Sequence, residues 1–415
     1  MEGMAVEGEG AFLSGLAPRP AHVPEDRVVD FNLHQPVPGG KSVQEFWRDL
    51  LSAATHDVMW TPHNGGHWLA TDPGLCETIL ADSDRFSSRV VIVPRDPIGE
   101  TYSNFIPLSL DPPAHGPFRK VLNDNLGPRQ VNAIADAIRK LTNDLIDEFE
   151  NRGHCDFKGE FAEQLPVRIF MSLVDLPEED LPRLKYLADQ FTRPDGTITF
   201  PEVENGFREY IGPILRQRRG GTAQDMITNI ANAQVNGRLL TDAEAENLTI
   251  QALVGGLDTV VNLLSFVFSF LATNPDLQAL LARDQAMIEE AMTEFLRRFP
   301  VVSDSREARM DIELDGVTIK QRDMIMASTI PIAMSEESNP DALAFLLDRK
   351  VRRHSVFGRG AHTCPGMHLA RLELKIVLTE WFRRIPAFRL KQGTSLSFTS
   401  GIVATVDPFV LEWDA

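Results

Sequence analysis

The residue with the clearest chemical potential is Cys364, which stands in a glycine-rich loop directly before a predicted helix. Residues 357–366 read FGRGAHTCPG, and apolar residues follow at helical spacing from Leu369. Backbone N–H groups at a helix start stabilise a thiolate, and glycines let the backbone approach a flat ligand closely. The loop therefore predicts a ligand-binding thiolate, although a lone cysteine is also compatible with a buried, unreactive thiol.

Two other uses of Cys364 follow from residue types alone. His362, Cys364 and His368 could hold zinc, but no Cys-x-x-Cys pair accompanies them and His368 falls inside the predicted helix. A cysteine nucleophile would need a base and an orienting group, and neither is identifiable. Both uses are weaker interpretations than a cofactor-binding loop.

A second set of residues lies inside an apolar helix predicted over 242–273. Gly255 and Gly256 each cost a helix interior about 1 kcal/mol relative to alanine, so they need a packing reason or a ligand reason. Close helix packing, with Asp258 capping a fragment, is one explanation. The other is that the glycines leave room for a ligand, while Thr259 opens a local groove and Asp258 supplies protons.

Two charged pairs at helical spacing are weak signals on their own. Glu294 and Arg297 stand three apart, and His115 and Arg119 stand four apart in a helix that begins after residues 111–113, DPP. Such pairs are most often solvated contacts. They gain meaning only from their positions relative to Cys364.

The motifs together resemble those of the cytochrome P450 superfamily. The pattern Phe-Gly-x-Gly-x-His-x-Cys-x-Gly is similar to its haem-binding loop, with every patterned position filled. The resemblance implies that Cys364 is the axial thiolate ligand of haem b iron, with Phe357 packed beside the sulfur and Gly366 in the same loop. It also implies that Glu294 and Arg297 form a structural ion pair beneath the haem.

The resemblance gives roles to the remaining motifs. Asp258 followed by Thr259 resembles the oxygen-activation motif of the family, and Gly255 would leave room for dioxygen, the co-substrate. Arg306 would lie before a strand predicted over 310–314. The residues implied to bind the haem propionates are His115, Arg119, Arg306 and His362.

Within the superfamily the sequence resembles the bacterial camphor hydroxylases, as the runs at 64–68, 168–171, 192–196, 234–238 and 254–262 indicate. These enzymes take electrons from NADH through a ferredoxin reductase and a 2Fe-2S ferredoxin. The resemblance thus implies hydroxylation of a small apolar terpenoid or norisoprenoid ketone, camphor-like or ionone-like. An acidic ferredoxin would need a basic patch on the thiolate side, although ordinary solvated arginines are an equal interpretation. The candidates are Arg352, Arg353, Arg359 and Arg371.

The predicted substrate pocket is where the sequence departs from the camphor enzymes. The loop over 94–111 is about two residues longer, and it contains Tyr102, which matches a substrate-binding tyrosine. Gln251 replaces an apolar residue and Leu108 a small polar one, so the cavity should favour a somewhat larger ketone than camphor. The other implied pocket residues are Leu253, Val254, Val302, Ile402 and Val403.

Two rival functions remain open at this level. A haem-thiolate binding or sensor protein would share the Cys364 loop but has no use for the Asp258–Thr259 pair. A peroxide-driven haem-thiolate enzyme would need its own acid–base arrangement in place of a ferredoxin surface.

The elements that must position these residues are mainly helical. The fold class expected is mostly α: the cytochrome P450 fold, with a large helical domain, a small β-rich lobe, and haem between the central and proximal helices. Residues 1–40 are expected to be an irregular lead-in and 41–415 a single domain. Helices are predicted over 43–54, 73–81, 114–126, 128–151, 160–175, 179–193, 201–218, 242–273, 275–282, 285–299 and 367–385, and strands over 58–61, 67–71, 310–314, 317–319 and 324–328.

Composition excludes several classes of protein. The 415 residues carry a net charge of −18, which disfavours nucleic acid and anionic membranes as partners. Three cysteines in so long a chain indicate a reducing compartment without a disulfide framework. The acidic N-terminus is unlike a secretory signal, and the longest apolar run, 260–273, is shorter than the roughly 20 residues that span a bilayer. A cytoplasmic monomer is expected.

Overall fold

Capping residues in the sequence determine where several helices begin. Ser42 and Glu45 form a reciprocal capping box at the first long helix, and Thr241 and Glu244 do the same at the central one. The computed structural model describes residues 15–95 and 105–414. Its helices are α1 Val43–Ala53, α2 Pro73–Ala81, α3 His115–Leu126, α4 Pro128–Ala133, α5 Ala135–Phe149, α6 Gln164–Val174, α7 Leu181–Thr192, α8 Phe200–Arg218, α9 Met226–Ala231, α10 Asp242–Leu257, α11 Thr259–Leu271, α12 Pro275–Arg283, α13 Ile288–Arg298, α14 Thr329–Met334 and α15 Met367–Arg384.

The strands form small sheets beside this helical body. They are β1 Val58–Thr61, β2 His67–Ala70, β3 Phe86–Ser87, β4 His154–Asp156, β5 Gln234–Val235, β6 Arg238–Leu239, β7 Ser303–Ala308, β8 Ile312–Leu314, β9 Val317–Ile319, β10 Met324–Ser328, β11 Arg389–Leu390, β12 Phe398–Thr399, β13 Thr405–Val406 and β14 Val410–Glu412. The largest sheet has the order β1-β2-β10-β7-β3, and β10 pairs with β2 in parallel. The expected mostly α class with a small β-rich lobe is confirmed.

The predicted helix over 242–273 is two helices. Asp258 has φ −129° and ψ −37°, which interrupts the helix between α10 and α11. The stretch Asp242–Leu271 is long and apolar enough to cross a membrane, but 72% of its most apolar window is buried inside the protein. It is the buried central element of the fold.

Three other predicted elements needed correction. The stretch 128–151 divides into α4 and α5, and 160–175 begins as a π-helical turn, Phe157–Ala162, before α6. The strand expected over 310–314 is only Ile312–Leu314. A longer strand, β7, precedes it, because its polar residues find hydrogen-bonding partners inside the sheet.

A cluster of aromatic rings joins the central helices to the C-terminal part of the chain. Trp381 of α15 lies against Phe157, Phe161 and Phe268, with ring centroids 4.8–5.5 Å apart. Such pairs contribute about 0.5–1.5 kcal/mol each beyond the area they bury. The cluster fixes α15, and hence the loop before it, against α11.

The described part of the predicted lead-in, from residue 15, contains no helix longer than one turn. It nevertheless packs on the body, since Phe31 and Leu33 are fully buried and Val29 N donates to Trp60 O at 2.8 Å. A single domain from residue 41 remains a prediction.

Candidate functional site

Cys364 lies immediately before α15, in a loop that the backbone itself holds in place. Its N–H donates to the Phe357 carbonyl at 2.7 Å, and the Gly366 N–H hydrogen-bonds toward the sulfur. Gly360 has φ +66°, and a Cβ there would stand 2.9 Å from the Ala81 backbone. Glycine is therefore required at that position both for conformation and for close approach to α2.

Burial works against a thiolate at Cys364 in the protein alone. It raises the pKa of this thiol, while the Gly366 N–H and Arg119 oppose the shift only in part. The expectation that the helix start alone stabilises a thiolate is therefore incomplete. A metal cation bound to the sulfur would supply the missing stabilisation of the thiolate, because a coordinated thiol is deprotonated.

The residues expected to bind propionates gather beside this loop. His115 and His362 lie with ring centroids 4.3 Å apart, and each leaves Nε2 buried and unpartnered among the described residues. Burial lowers the pKa of His115 to about 4 and that of His362 to about 3, so both rings are neutral. Arg119 donates to the Thr363 carbonyl, directly beside Cys364.

Arg306 completes this donor-rich set, from a position that differs from the expected one. It lies within β7 and not before a strand, it is 2% exposed, and it donates to the Ser305 carbonyl at 2.8 Å. Asp304, which sequence reasoning missed, is close enough to act electrostatically on Arg306 and Cys364. Buried donors of this kind, with two unpartnered imidazole nitrogens, fit a ligand that brings two carboxylates, as haem does.

The two glycines of α10 have different surroundings, which account for them in different ways. A Cβ on Gly256 would meet the Phe170 ring at 2.5 Å, so this glycine permits close packing of α10 on α6. A Cβ on Gly255 would meet nothing within 4 Å, and Gly255 is exposed although the preceding Val254 is buried. One turn later Thr259 Oγ1 donates to the Gly255 carbonyl at 3.5 Å. The packing explanation therefore suits Gly256, and the ligand explanation suits Gly255.

Asp258 is fully buried in a cluster of charges that the sequence motifs did not include. Arg193 donates to both carboxylate oxygens, at 2.6 and 2.8 Å, Lys185 lies 3.4 Å away, and Thr192 donates at 3.2 Å. Burial alone would raise the pKa of Asp258, but Arg193 and Lys185 lower it overall, well below its usual range. The only sequence signal for Arg193 was its place in the run 192–196.

Glu294 and Arg297 are both fully buried and form a bidentate ion pair, with a closest distance of 2.6 Å. Arg349 and Arg352 also contact Glu294, at 3.1 and 3.4 Å. Arg297 donates further to the carbonyls of Ala333, Ala342 and Ala344. The arrangement ties α13 to the segment that leads to the cysteine loop.

The residues expected to line the pocket come together in part. Leu108 packs with Ile402 in a small apolar cluster, and Val302 pairs with Val403 as an isolated β-bridge. Leu253 and Val254 are buried on α10. On the same helix, Gln251 has a buried Oε1 without a partner among the described residues. Tyr102 lies outside the described residues.

The four candidate docking arginines differ in how much surface they offer. Arg352 is drawn inward by Glu290 and Glu294, leaving its side chain 15% exposed. Arg353 and Arg359 share Glu77 as partner and stay 40% and 46% exposed, and Arg371 lies 3.9 Å from Glu289. The Arg371 side chain is 37% exposed, so the outward-facing part of the patch is Arg353, Arg359 and Arg371.

Within the part of the chain that the structure describes, no three His, Cys, Asp or Glu side chains are placed to hold a metal ion. His362, Cys364 and His368 thus do not form a zinc site.

Comparisons with known proteins agree with this geometry. A family model described as Cytochrome P450 matches residues 199–397. The chain is 32% identical over 413 residues to a probable cytochrome P450 127A1 of Sinorhizobium fredii, covering 95% of this chain and 97% of that protein. It is 30% identical over 311 residues to the mycinamicin IV hydroxylase/epoxidase of Micromonospora griseorubida, covering 71% of this chain and 76% of that protein.

Two solved structures share the fold along almost the whole chain. The structure of CYP101J2 has a TM-score of 0.89 and 52% identity, and that of CYP101C1 has a TM-score of 0.86 and 33% identity. Each alignment covers 96% of this chain and 100% of the other. A cysteine loop before a helix, a buried donor set beside it and these likenesses lead to one conclusion: the chain belongs to the cytochrome P450 family of monooxygenases.

Proposed function

We propose that this P450 hydroxylates a small apolar ketone of the terpenoid or norisoprenoid class, with dioxygen and with electrons from NADH through a ferredoxin reductase and a 2Fe-2S ferredoxin. The observation that carries the proposal is the position of the Cys364 loop beside the buried His115 and Arg306 and the half-buried His362. The Nε2 atoms of the two histidines have no partner among the described residues. The similarity to CYP101-type structures supports a bacterial hydroxylase. We propose further that the enzyme works in the cytoplasm as a monomer.

When bound, haem b supplies the iron centre at which dioxygen is activated. Cys364 would be its thiolate ligand, held by the Phe357 carbonyl and the Gly366 N–H. The His115, Arg119, Arg306 and His362 side chains would hold its propionates. Gly255 leaves space at the helix interruption, and the Thr259 hydroxyl there would hold a proton that the ionised Asp258 carboxylate first accepts and then passes on.

The pocket residues would select and orient the substrate. Leu108, Val254, Ile402 and Val403 present apolar surface, which contributes about 25 cal/mol per Å² buried without fixing an orientation. The Gln251 amide, whose Oε1 has no partner among the described residues, can supply the directional contact, since its Nε2 can donate to a ketone oxygen.

Reconstitution tests the function directly. NADH oxidation and product formation should require substrate, ferredoxin and ferredoxin reductase together. Turnover with hydrogen peroxide alone at the same rate would favour a peroxide-driven enzyme. Ligand-induced spectral change with no turnover under any electron supply would favour a binding or sensor protein.

Reversing the charge of Arg359 should weaken the use of ferredoxin. Arg359→Glu places a second carboxylate beside Glu77, so both the patch charge and the position of Arg353 are disturbed. We expect kcat/KM for ferredoxin to fall about tenfold or more in the variant. In the wild-type protein it should fall with salt over the range where the Debye length drops below about 10 Å.

The matched control for this change is Arg238→Glu, which alters an exposed arginine on the β5–β6 hairpin by the same charge. It should leave kcat/KM for ferredoxin unchanged. Equal losses in both variants, or a rate independent of salt, would mean that ferredoxin docks on another surface.

Gln251 should make the pocket discriminate among ketones. In titrations of the ferric protein, followed by the spin-state change, an ionone should bind more tightly than camphor. Gln251→Leu should weaken ionone binding about two- to tenfold, the value of one hydrogen bond, while limonene, an apolar terpene without a ketone, keeps its affinity. Complete spin conversion by camphor with feeble responses to ionones would contradict this prediction.

A further inference from the structure

A row of hydrogen bonds approaches Asp258 from a side that no sequence motif predicted. Lys158 Nζ donates to Thr405 Oγ1 at 2.8 Å, and Thr405 Oγ1 donates to Asn262 Oδ1 at 2.5 Å. Asn262 Nδ2 donates in turn to Asp258 Oδ1 at 2.9 Å. Each donor points the same way along the row, so the bonds polarise one another and strengthen together.

Three separate elements meet in this row. Lys158 is on the π-helical turn, Thr405 begins β13, and Asn262 is in the first turn of α11. Asn262 is 0% exposed and Thr405 is 7% exposed. A π-helical turn is a costly local distortion that is frequent at functional sites. Here the turn carries the lysine that starts the row.

Lys158 is an unusual choice for this position. In the described part of the chain it has no ion-pair partner within 4 Å, and it donates instead to the Thr405 hydroxyl and, at 2.8 Å, to the Val406 carbonyl. Burial lowers its pKa. Lys158 is half-buried, and a cation partly withdrawn from water without a paired carboxylate costs free energy that its two hydrogen bonds offset only in part.

The segment 402–405 also supports Asp258 by a second route, through Arg193. Arg193, which pairs with Asp258, also donates to the Val403 carbonyl at 2.9 Å. Residues 402–405 therefore include two predicted pocket residues, Ile402 and Val403, and also the groups that hold Arg193 and Asn262, two of the residues that bind the Asp258 carboxylate. The pocket wall and the buried acid form one hydrogen-bonded unit.

We propose that Lys158 and Thr405 are positioning residues that hold the Asn262 amide, and through it Asp258, in the orientation in which the carboxylate accepts a proton and passes it toward Thr259. The inference rests on the proposed function, in which the Asp258 carboxylate relays a proton that it first accepts. Asn262 is an amide and does not carry the proton itself. Lys158 and Thr405 act by fixing the geometry and not by touching substrate or cofactor.

The test uses holoenzyme variants in which the hydrogen bonds of the Thr405 hydroxyl are removed or restored. Thr405→Val keeps the shape of the side chain and removes the hydroxyl, while Thr405→Ser restores it. We expect kcat to fall about tenfold in the valine variant, because one bond that orients a charged group is lost, and to recover in the serine variant. KM and the substrate-induced spin-state change should stay at wild-type values in both.

A second variant interrupts the row at its start. Lys158→Met should lower kcat in the same direction as Thr405→Val, and the double variant should add little, because both changes break one unit. Lys140→Met is the matched control, since Lys140 is an exposed lysine paired with Asp144 on α5. It should leave kcat unchanged.

A crystal structure of Thr405→Val supplies a readout independent of turnover. The Asn262 amide should rotate away from Asp258, and the carboxylate should change its orientation relative to Arg193. An unmoved Asn262 with wild-type kcat would overturn the inference while the wild-type enzyme still turns over. A kcat loss that serine fails to rescue, or one accompanied by an equal rise in KM, would show a merely structural role and also overturn it. Wild-type protein without any turnover would instead refute the proposed function.

Discussion

Replacing Cys364 by serine should abolish the red-shifted Soret band that thiolate-ligated haem shows when the reduced protein binds carbon monoxide. In the protein alone, burial keeps this thiol neutral, so only coordination to iron makes the thiolate the stable form. Serine has nearly the same shape but its hydroxyl is a far weaker ligand and donates less electron density to iron. Hydroxylation should fall below detection.

The control for this substitution is Cys155→Ala. Cys155 lies on β4, is fully buried, and its pKa is raised by burial, so it is a structural thiol. Cys155→Ala should keep the red-shifted band even if it lowers stability. Survival of the band in Cys364→Ser, or its loss in Cys155→Ala, would refute the assignment of the ligand.

The cysteine loop could be predicted from sequence because everything it needs is contiguous. Ten residues contain the cysteine, the glycines that permit the tight backbone, and the N-cap residue of the helix that follows. The same holds for α2, which the structure places at Pro73–Ala81 as predicted, because its capping residue Asp72 stands directly before it. Local signals of this kind do not depend on distant partners.

The features that could not be predicted from the sequence depend on residues that are distant along the chain. The strand β7 reads SDSREA, a polar sequence that shows no strand pattern, yet most of it is buried. It is stabilised by contacts such as Ser303 with Ser328 and Glu307 with Arg89. The sequence offered Asp258 as the cap of a helix fragment, but the residues that hold it in place could not be predicted, since Arg193 and Thr405 are distant in sequence.

Removing the acid at position 258 should slow turnover by about a hundredfold, the range that a positioned proton donor contributes. Asp258→Asn preserves the size of the side chain, and Arg193 retains Asp189 as a partner at 2.7 Å, so the charge cluster is not left unpaired. The amide cannot accept and return a proton as the carboxylate does. Substrate binding should be unchanged, and electrons should still go mainly to product.

The companion substitution Thr259→Ala should leave the turnover of NADH nearly unchanged and lower the fraction of electrons that reach product. The hydroxyl lies at the helix interruption beside the Gly255 carbonyl, where it would hold the proton at the site of oxygen activation. Without it, NADH oxidation should continue at a similar rate, but most electrons should appear as hydrogen peroxide, measured against product by chromatography. Asp189→Asn, which alters a carboxylate of the same cluster, should have a much smaller effect than Asp258→Asn. Wild-type rates in Asp258→Asn together with unchanged coupling in Thr259→Ala would mean that protons reach the iron by a route that bypasses α10 and α11.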